Sequence, residues 1–457
     1  MATHIEHDER GILPAGMISV EEARARILDV FAVLPGIGTP LDDALGTVLA
    51  EDIVAGFDIP PLANTAMDGY AVRAADTAGA SRAAPRTLRV IGYLPAGSVW
   101  DGTVGPGEAL RIMTGAPMPA GAGAVVPFEE TDEYDADSGA RVDWQHAPRE
   151  SVRIDVAARA GANVRPAGED VRAGETVLRA GTLLGPAQIG VIASLGRDRV
   201  RAHRRPVVAI LSTGDELLRA GEPLTPGKIY DANAYSLAAC VRAWGGVPRV
   251  LDVARDTVEA LTARIHEGVR DADLLVTSAG VSRGDFDVVK TVLAREGEIG
   301  FWTVNMRPGK PLAFGRFEVE TGHSMEQRVV PHLGLPGNPV SAMMTFELFG
   351  RPTIFKMLGR LQRDPEAWRR PTVRATALER IVSGDGRRLY ARCFATEDPD
   401  GRWQVRLTGT QSSGALTSMS LANAYAIVPE GVAEVPAGGA CDVMLVDREA
   451  PAPLVLP

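Results

Sequence analysis

The pattern of apolar and polar positions changes twice along the chain, which predicts three parts. The first part begins with an amphipathic helix, Val20–Val33, and a short helical stretch, Leu41–Ala50. Short apolar runs separated by Gly and Pro then follow, as is typical of a small β domain. We place this inserted β domain at about residues 62–162, within an extended N-terminal region that covers residues 14–204. Its clearest runs are Leu88–Tyr93, Ala109–Met113, Ala124–Phe128 and Arg141–Trp144.

From Arg205 the pattern alternates between β-like apolar runs and helical segments, which predicts a doubly wound parallel sheet over residues 205–350. Asp231 precedes the first of these helices as a cap, and Gly245–Gly246 ends it. Asn338 and Pro339 are suited to begin the last helix. The predicted strands are Val207–Leu211, Val247–Val253, Leu274–Val276, Phe301–Val304 and Leu333–Leu335. The predicted helices are Tyr235–Trp244, Val258–Arg270, Val288–Glu296 and Val340–Leu358.

The last part, residues 368–457, returns to short apolar runs with Gly-rich turns. This pattern predicts a separate small β barrel, or a sandwich. The runs are Leu389–Phe394, Trp403–Leu407, Ala424–Val428 and Val443–Val446. The fold class that follows is a multidomain α/β plus β protein.

Composition narrows the range of functions. The 457 residues carry a net charge of −10 with 5% aromatic residues, which argues against binding to nucleic acid. Three widely separated cysteines, Cys240, Cys393 and Cys441, fit reduced thiols and give no zinc signature. The polar start of the chain and the absence of a long apolar run predict a cytoplasmic protein without a membrane span.

Three predicted strands of the central sheet end in turns rich in small and polar residues. These turns are Ser212–Glu216, Thr277–Asp285 and Pro336–Pro339. In an open parallel sheet the strand ends line the ligand crevice. Small residues there let the backbone approach an anion. The sequence therefore predicts a binding site for an anionic ligand at this edge.

Acidic residues lie in or beside many of the turns. Carboxylates are the ligands through which Mg²⁺ is held against substrate phosphates, although Asp is also common in turns and caps for local reasons. Glu216 and Asp287 are the stronger candidates because both follow strand ends of one sheet. The full set is Asp68, Asp170, Glu216, Asp231, Asp285 and Asp287.

Two basic residues flank a Pro-Gly turn at Met306–Pro311. Arg307 can bind an oxyanion through two hydrogen bonds, and Lys310 can act as a point charge. The sequence has neither a Walker A loop nor a Gly-x-Gly-x-x-Gly fingerprint. Gly280–Gly284 matches the nucleophile elbow of serine hydrolases, but Thr277–Ala279 separate it from the strand end. We therefore expect Ser278 and Ser282 to donate hydrogen bonds to ligand oxygens.

Several motifs in order resemble the molybdopterin molybdenumtransferase family (MoeA), whose animal relative is the E domain of gephyrin. The resemblance covers about residues 14–447. The motifs are Asn64-Thr-Ala-Met-Asp68-Gly-Tyr-Ala-Val, Arg111-Ile-Met-Thr114-Gly-Ala-Pro, Gly168-Glu-Asp170, Ser212-Thr-Gly-Asp-Glu216, Thr277-Ser-Ala-Gly-Val-Ser-Arg-Gly, Pro308-Gly-Lys310-Pro, Leu335-Pro-Gly-Asn-Pro339 and Gln411-Ser-Ser-Gly414.

The resemblance implies an Mg²⁺-dependent enzyme that inserts molybdate into adenylylated molybdopterin and releases AMP. It also implies an elongated homodimer whose site joins the central domain of one subunit to the N-terminal β domain of the other. Further partners would be other cofactor-biosynthesis proteins and apo-molybdoenzymes. The implied catalytic residues are Asp68, Thr114, Asp170, Glu216, Asp287 and Lys310, and the implied metal ligands are Glu216, Asp231 and Asp287. The implied substrate-binding residues are Ser212, Thr213, Gly214, Ser278, Gly280, Ser282, Arg307, Pro336, Asn338 and Pro339.

The sequence departs from the family pattern at four positions. Thr65 replaces Ser, Ala279 replaces Gly, Arg307 replaces Lys, and Gly123 removes a common acidic residue. None of these changes removes a proposed catalytic carboxylate. Two other functions remain open: a molybdopterin adenylyltransferase, which shares a similar central domain, and a catalytically altered paralogue that acts as a cofactor carrier or scaffold.

Overall fold

The computed structural model describes residues 16–134, 149–279, 288–320 and 327–446. The predicted β run Arg141–Trp144 lies outside the described residues.

In its described residues, the N-terminal region contains two α-helices, a set of short paired strands and a larger sheet. Helix α1 ends three residues earlier than predicted, at Val30, because Phe31 adopts an extended backbone. The predicted helix Leu41–Ala50 is wrong. Only Leu41–Asp43 form a 3₁₀ turn, after which Gly46 takes a positive φ of 75°. The elements are β1 (Met17–Ile18), α1 (Val20–Val30), β2 (Gly36–Pro40), β3 (Ile53–Val54), β4 (Asn64–Thr65), β5 (Gly69–Val72), β6 (Ser81–Leu94), β7 (Glu108–Ile112), β8 (Ala124–Pro127), β9 (Ser151–Val156), β10 (Val164–Arg165), β11 (Thr176–Leu178), α2 (Pro186–Ser194) and β12 (Arg199–His203).

Strands β8, β5, β7, β6 and β9 form one five-stranded sheet in that order. Its two faces bury separate apolar clusters, one around Tyr70 and Phe128 and one around Leu110 and Ile112. Strand β5 is the second strand of the sheet and its four residues are all buried. The strand that follows Asp68 is therefore fixed on both sides.

The central region has the predicted alternation of strands and helices. It contains β13 (Val207–Ser212), β14 (Leu217–Leu218), β15 (Ile229–Tyr230), α3 (Ala232–Ala243), β16 (Val247–Val250), α4 (Val258–Val269), β17 (Leu274–Ser278), α5 (Val288–Glu296), β18 (Glu298–Val304), β19 (Met306–Arg307), β20 (Pro311–Glu320), β21 (Gln327–Leu335), α6 (Pro339–Thr345) and α7 (Arg351–Met357).

The main sheet has the strand order β1-β18-β20-β21-β17-β13-β16. Strands β16, β13, β17 and β21 are parallel, which confirms the predicted parallel sheet. Strand β20, which the sequence pattern did not reveal, pairs antiparallel with both of its neighbours. Helices α1 and α3 pack on one face, whereas α4 and α5 pack on the other. The sheet is therefore covered on both sides, as a doubly wound fold requires.

The predicted helix Val340–Leu358 is divided into α6 and α7 by a π-helical stretch, Phe346–Gly350. Phe346 and Phe349 of this stretch and Ile354 of α7 are fully buried, in the apolar cluster that also contains residues of α1 and α3. Within the described ranges, no helix is both long and apolar enough to cross a membrane.

The C-terminal region is a closed barrel, which confirms that prediction. Its elements are β22 (Thr372–Ala377), β23 (Ile381–Val382), β24 (Arg388–Glu397), β25 (Trp403–Leu407), α8 (Leu416–Ser420), β26 (Ala424–Val428), β27 (Glu434–Val435) and β28 (Ala440–Leu445). Strands β24, β25, β22, β28 and β26 follow one another, and β26 pairs back to β24. Cys393 and Cys441 are buried inside the barrel as free thiols.

One buried histidine in the central sheet should make the stability of the protein depend on pH. Burial lowers the pKa of His332 to about 3, and its Nε2 lies 2.9 Å from Thr277 Oγ1. An unfolded histidine has a pKa of about 6.5, so between pH ~6.5 and ~3 the unfolded chain binds a proton that the folded chain does not. Stability then falls as pH falls, by up to ~1.4 kcal/mol per pH unit.

We expect His332→Gln to remove this contribution. Between pH 7 and pH 5 the variant should lose ~2 kcal/mol less free energy of unfolding than the wild type, measured by denaturant titration at both pH values. The matched control is His266→Gln, because 61% of the His266 side chain is exposed. An identical pH slope in the wild type and His332→Gln would contradict the prediction.

Candidate functional site

The three polar turns meet at one edge of the central sheet because their strands end in register. Ser212 pairs with Ser278, and Ser278 pairs with Leu335, which directly precedes Pro336. Ser212, Thr213 and Ser278 are all buried. The Thr213 N–H donates to the Ser278 carbonyl at 3.3 Å, which links the first two turns directly. The residues of these turns that the structure describes therefore form one continuous wall.

The first turn is shaped by Gly214 and Glu216. Gly214 has a φ of 143°, and a Cβ placed on it would overlap the Glu216 carboxylate. This glycine therefore lets the carboxylate fold back over the turn. Glu216 is exposed to solvent, and its carbonyl accepts a hydrogen bond from the Ile229 N–H at 2.8 Å. The exposed Glu216 carboxylate lies beside the backbone of Gly214, which has no side chain. It is therefore available to a cation or a ligand.

Asp231 has a structural role that the sequence also predicted. It is only 5% exposed and caps helix α3, where its Oδ1 accepts from the Ala234 N–H at 3.0 Å. One carboxylate oxygen is thus committed to the start of the helix.

The sequence interpretation did not single out Asn233, which lies two residues after this cap. Its Nδ2 donates to Ser278 Oγ at 2.6 Å and to the Gly337 carbonyl at 2.7 Å. Asn233 is 9% exposed. One side chain thus links helix α3 to the second and third turns. The Asp-x-Asn spacing at a helix start was a possible signal in the sequence.

The interpretation also missed Asp256. Thr213 forms an isolated parallel bridge with Ala254, which brings the segment after β16 against the first turn. The Asp256 N–H and the Asp215 N–H each donate to the other residue's carboxylate at 3.4 Å. Asp256 follows the end of a predicted strand, so the rule that identified Glu216 also applies to it.

The second turn contains a strained residue. Ala279 has a positive φ of 85°, a conformation that favours glycine. Its N–H donates to the Leu335 carbonyl at 3.1 Å, and its methyl group lies 3.3 Å from where a Cβ on Gly337 would be. The extra methyl group expected from the sequence therefore lies against the third turn. The remaining residues predicted in this turn, Gly280, Ser282, Asp285 and Asp287, lie outside the described residues.

The two basic residues of the Pro-Gly turn separate in space. Arg307 donates to the Ser383 carbonyl at 2.8 Å and lies 3.8 Å from Asp385, so its guanidinium contacts the C-terminal region. Lys310 precedes β20, which begins beside the end of β21. Lys310 is half-buried, and in the described part of the chain its ammonium has no hydrogen-bond or ion-pair partner. Lys310 is the better placed of the two for a ligand at the sheet edge.

The C-terminal barrel also reaches this edge. Asn338 occupies the cap position of α6, but its Nδ2 donates to Ser413 Oγ at 3.0 Å instead of its oxygen accepting from the helix. The Val340 N–H donates to the Ser413 carbonyl at 3.1 Å. Arg392, which is 1% exposed, holds this segment by donating to the carbonyls of Thr410 and Ser412 at 3.0 Å. Pro336 is buried and Pro339 half-buried within the same turn.

Asp68, Thr114 and Asp170 lie in the N-terminal region, separate from the central sheet. The Thr114 N–H and Oγ1 both donate to Asp68 Oδ1 at 2.8 Å. Asp170 is exposed, and its N–H donates to the Ile59 carbonyl at 3.0 Å. The structure therefore brings Asp68 and Thr114 together as a pair on the five-stranded sheet.

A buried ionic network lies behind this pair. Arg111 donates to Glu133 at 2.5 Å, and the side chains are only 5% and 0% exposed. The Tyr70 hydroxyl donates to the same carboxylate at 2.5 Å, and burial and then this contact raise the pKa of Tyr70. Tyr70 and Arg111 are also paired residues on β5 and β7. The network thus fixes strand β5, which directly follows Asp68, and strand β7, which ends shortly before Thr114.

Three family models together match most of the chain. They are described as the MoeA N-terminal region (domains I and II), a probable molybdopterin binding domain and the MoeA C-terminal region (domain IV), and they match residues 18–196, 209–356 and 374–446, respectively.

Curated relatives match this chain over most of its length. Molybdopterin molybdenumtransferase 2 of Mycobacterium tuberculosis is 38% identical over 92% of this chain and 98% of its own length. Molybdopterin molybdenumtransferase of Staphylococcus epidermidis is 33% identical over 94% of this chain and 96% of its own. A solved structure of a molybdopterin biosynthesis MoeA protein from Pyrococcus horikoshii shares 28% identity with a TM-score of 0.72, covering 94% of this chain and all of that one.

The buried network behind Asp68 gives a stability prediction. Arg111→Ala leaves the Glu133 carboxylate buried without its main partner, which should cost ~3–5 kcal/mol of unfolding free energy. Denaturant unfolding measures this loss. Arg89→Ala is the matched control in the same sheet, because Arg89 is 67% exposed in its pair with Glu108 and should cost less than ~1 kcal/mol. Equal losses of unfolding free energy in the two variants would refute the prediction that the buried Arg111–Glu133 pair contributes more to stability than the exposed pair.

The strained turn gives the opposite prediction. Ala279→Gly removes the steric cost of the positive φ, partly offset by the greater freedom of glycine in the unfolded chain. We expect the free energy of unfolding to rise by up to ~1 kcal/mol, measured as a shift in thermal or denaturant midpoint. Ala263→Gly, on the exposed face of α4, is the control and should lower it by ~1 kcal/mol. A loss of stability in Ala279→Gly as large as in the control would contradict this account.

Proposed function

The chain belongs to the molybdopterin molybdenumtransferase (MoeA) family, and from this premise we propose that it inserts molybdate into adenylylated molybdopterin with release of AMP. The observation that carries the proposal is the single wall formed by Ser212–Glu216, Ser278 and Pro336–Pro339, with Lys310 at the same sheet edge. The substrates are two anions, and this edge offers hydroxyl groups, glycine backbone and the Lys310 ammonium. The reaction belongs to molybdenum cofactor biosynthesis, and we place it in the cytoplasm.

Each residue of the wall has a role that follows from its surroundings. Ser212, Thr213 and Ser278 supply hydroxyl donors to ligand oxygens, and Gly214 lets the backbone come close. Lys310 attracts molybdate or the phosphate groups, and no residue that the structure describes forms an ion pair with it that would have to break first. Donors that are held in place before the ligand arrives stabilise developing charge at little reorganisation cost. Binding both anions at this edge brings the reacting groups together.

We propose that Glu216 and Asp287 hold Mg²⁺ together with substrate phosphates. Glu216 is exposed at the turn and offers hard oxygen ligands, which fits Mg²⁺. The described residues contain no group of three acidic, histidine or cysteine side chains that could bind a metal by themselves. Mg²⁺ usually takes one or two carboxylates and completes its shell with phosphate and water. Asp231 contributes through the oxygen that does not cap α3. When bound, Mg²⁺ would neutralise phosphate charge.

We further propose that the working form is a homodimer. Asp68 and Thr114 form a hydrogen-bonded pair on a sheet separate from the central wall. A second subunit that places this pair, with Asp170, opposite the central turns would complete the site. Substrate would then be enclosed between two domains that come from different chains. Apo-molybdoenzymes and other cofactor-biosynthesis proteins are the expected partners in delivery.

The carrier or scaffold alternative is less favoured. Glu216, Asp231 and Lys310 are all present at this edge, and Asp231 is fixed by its cap contact with Ala234, whereas a scaffold has no need for this combination of carboxylates and an ammonium.

The test is molybdate-dependent release of AMP from adenylylated molybdopterin with Mg²⁺, measured together with reconstitution of an apo-molybdoenzyme. Lys310→Ala should lower kcat/KM by about 100-fold or more, because it removes the positive charge from the anion site. Asp287→Ala should abolish insertion while the protein stays folded. The control is Arg406→Ala, which removes an exposed barrel charge and should change kcat/KM less than about 2-fold.

Tight binding of adenylylated molybdopterin by the wild type without AMP release would instead indicate a carrier. Unchanged cofactor formation by Asp287→Ala would remove that residue from the proposed mechanism.

A further inference from the structure

We infer that Asn233 is a positioning residue that fixes Ser278 and the third turn for binding of the anionic substrate. The inference rests on the proposed function and assigns a role to a residue outside the catalytic and binding set given above. Asn233 contacts two of the three turns, and helix α3 holds it in place.

The contacts of Asn233 are short and buried. Its Nδ2 lies 2.6 Å from Ser278 Oγ and 2.7 Å from the Gly337 carbonyl oxygen. Both protons of the amide nitrogen are therefore used. Asn233 is 9% exposed and Ser278 is 2% exposed, so water competes little for these bonds. The side chain thus joins the two turns through donors that cannot easily find another partner.

The start of helix α3 holds Asn233 at this position. The Asp231 side chain caps the helix through the Ala234 N–H, and the Asn233 carbonyl accepts from Ser236 Oγ at 3.2 Å. Leu237, Ala238 and Val241 of the same helix are buried against the sheet. The amide is therefore carried on a rigid element, which is what accurate positioning of a site requires.

The direction of the hydrogen bonds defines what Asn233 does to Ser278. A carbonyl oxygen can only accept, so the atom facing Gly337 must be the Asn233 nitrogen. That nitrogen also donates to Ser278 Oγ, so the serine hydroxyl acts as the acceptor. Its own proton remains available for an oxygen of the ligand. Asn233 therefore presets Ser278 as a donor, which suits molybdate or a phosphate group.

The same geometry explains why aspartate would not replace this residue. A carboxylate cannot donate to the Gly337 carbonyl, and it would take the proton of Ser278 for its own hydrogen bond. It would also add a negative charge beside the anion site. Asn233→Asp thus removes the two donated protons and adds a negative charge, with almost no change in side-chain volume.

The chain offers a matched control. Asn423 is 6% exposed in the barrel, where its amide bonds both the N–H and the carbonyl of Ala395 at 2.7 and 2.9 Å. Asn423→Asp makes the same chemical change at similar burial, but away from the three turns. The two variants should therefore lose similar thermal stability and differ in function.

The experiment measures kcat and KM for molybdate-dependent AMP release in the wild type, Asn233→Asp, Asn423→Asp, Ser278→Ala and the double variant Asn233→Asp/Ser278→Ala. We expect Asn233→Asp to lower kcat/KM by about 100-fold or more, and Asn423→Asp by less than about 3-fold, at comparable melting temperatures. In the Ser278→Ala background the Asn233 change should cost at least about 10-fold less, because the shared hydroxyl is gone. Similar kcat/KM losses in Asn233→Asp and Asn423→Asp, or additive effects of Asn233→Asp and Ser278→Ala, would overturn the inference.

Amide hydrogen exchange tests the positioning without the reaction. The N–H groups of Ala279 and Thr213 depend on the Ser278 turn through their bonds to the Leu335 and Ser278 carbonyls. Both should exchange at least about 10-fold faster in Asn233→Asp than in the wild type, and at the wild-type rate in Asn423→Asp. Unchanged exchange would refute the role of Asn233 whatever the activity. A wild-type protein without AMP release, combined with faster exchange in Asn233→Asp, would refute the proposed function and leave the positioning role supported.

Discussion

The parallel register of β13, β17 and β21 is the constraint on which the candidate site depends. Backbone hydrogen bonds place Ser212 beside Ser278, and Ser278 beside Leu335, so three turns distant in sequence end at one edge. Helices on both faces bury the strands, which keeps this register from slipping. A few further contacts, such as the hydrogen bonds of Asn233 to Ser278 and Gly337, then fix the side chains and turns at this edge.

The sequence predicted the architecture well where hydrophobic periodicity was strong. The four parallel strands, helices α3, α4 and α5 and the barrel were all anticipated, because each combines an apolar pattern with clear caps or turns. The Leu41–Ala50 segment was predicted wrongly because its apolar residues follow a helical spacing while Gly46 and strand-like bridges at Val48 and Leu49 determine the backbone. Strand β20 escaped notice because its residues lie between two turn motifs that dominated the pattern.

The candidate site was predictable only in part, since motifs identify turns but not the contacts between them. The expectation that the ends of parallel strands lie at one edge of the sheet correctly placed Ser212, Ser278 and Pro336 close together. It could not show that Arg307 contacts the barrel, or that Asn338 bonds Ser413 rather than its own helix. Asn233 and Asp256 were missed because one looks like an ordinary helix-start residue and the other like part of a loop. Their importance depends on tertiary contacts that no local pattern encodes.

The hydrogen bonds that join the C-terminal barrel to loops at the edge of the central sheet have a mechanical consequence. Arg307 ties the Pro-Gly turn to Ser383, and Asn338 ties the third turn to Ser413. The Ser413 segment is itself anchored through the buried guanidinium of Arg392. Two loops of the candidate site are thus fastened to a body that lies outside the sheet. A ligand that shifts either loop must also displace barrel residues or break these hydrogen bonds. The C-terminal domain therefore contributes to the rigidity of the site.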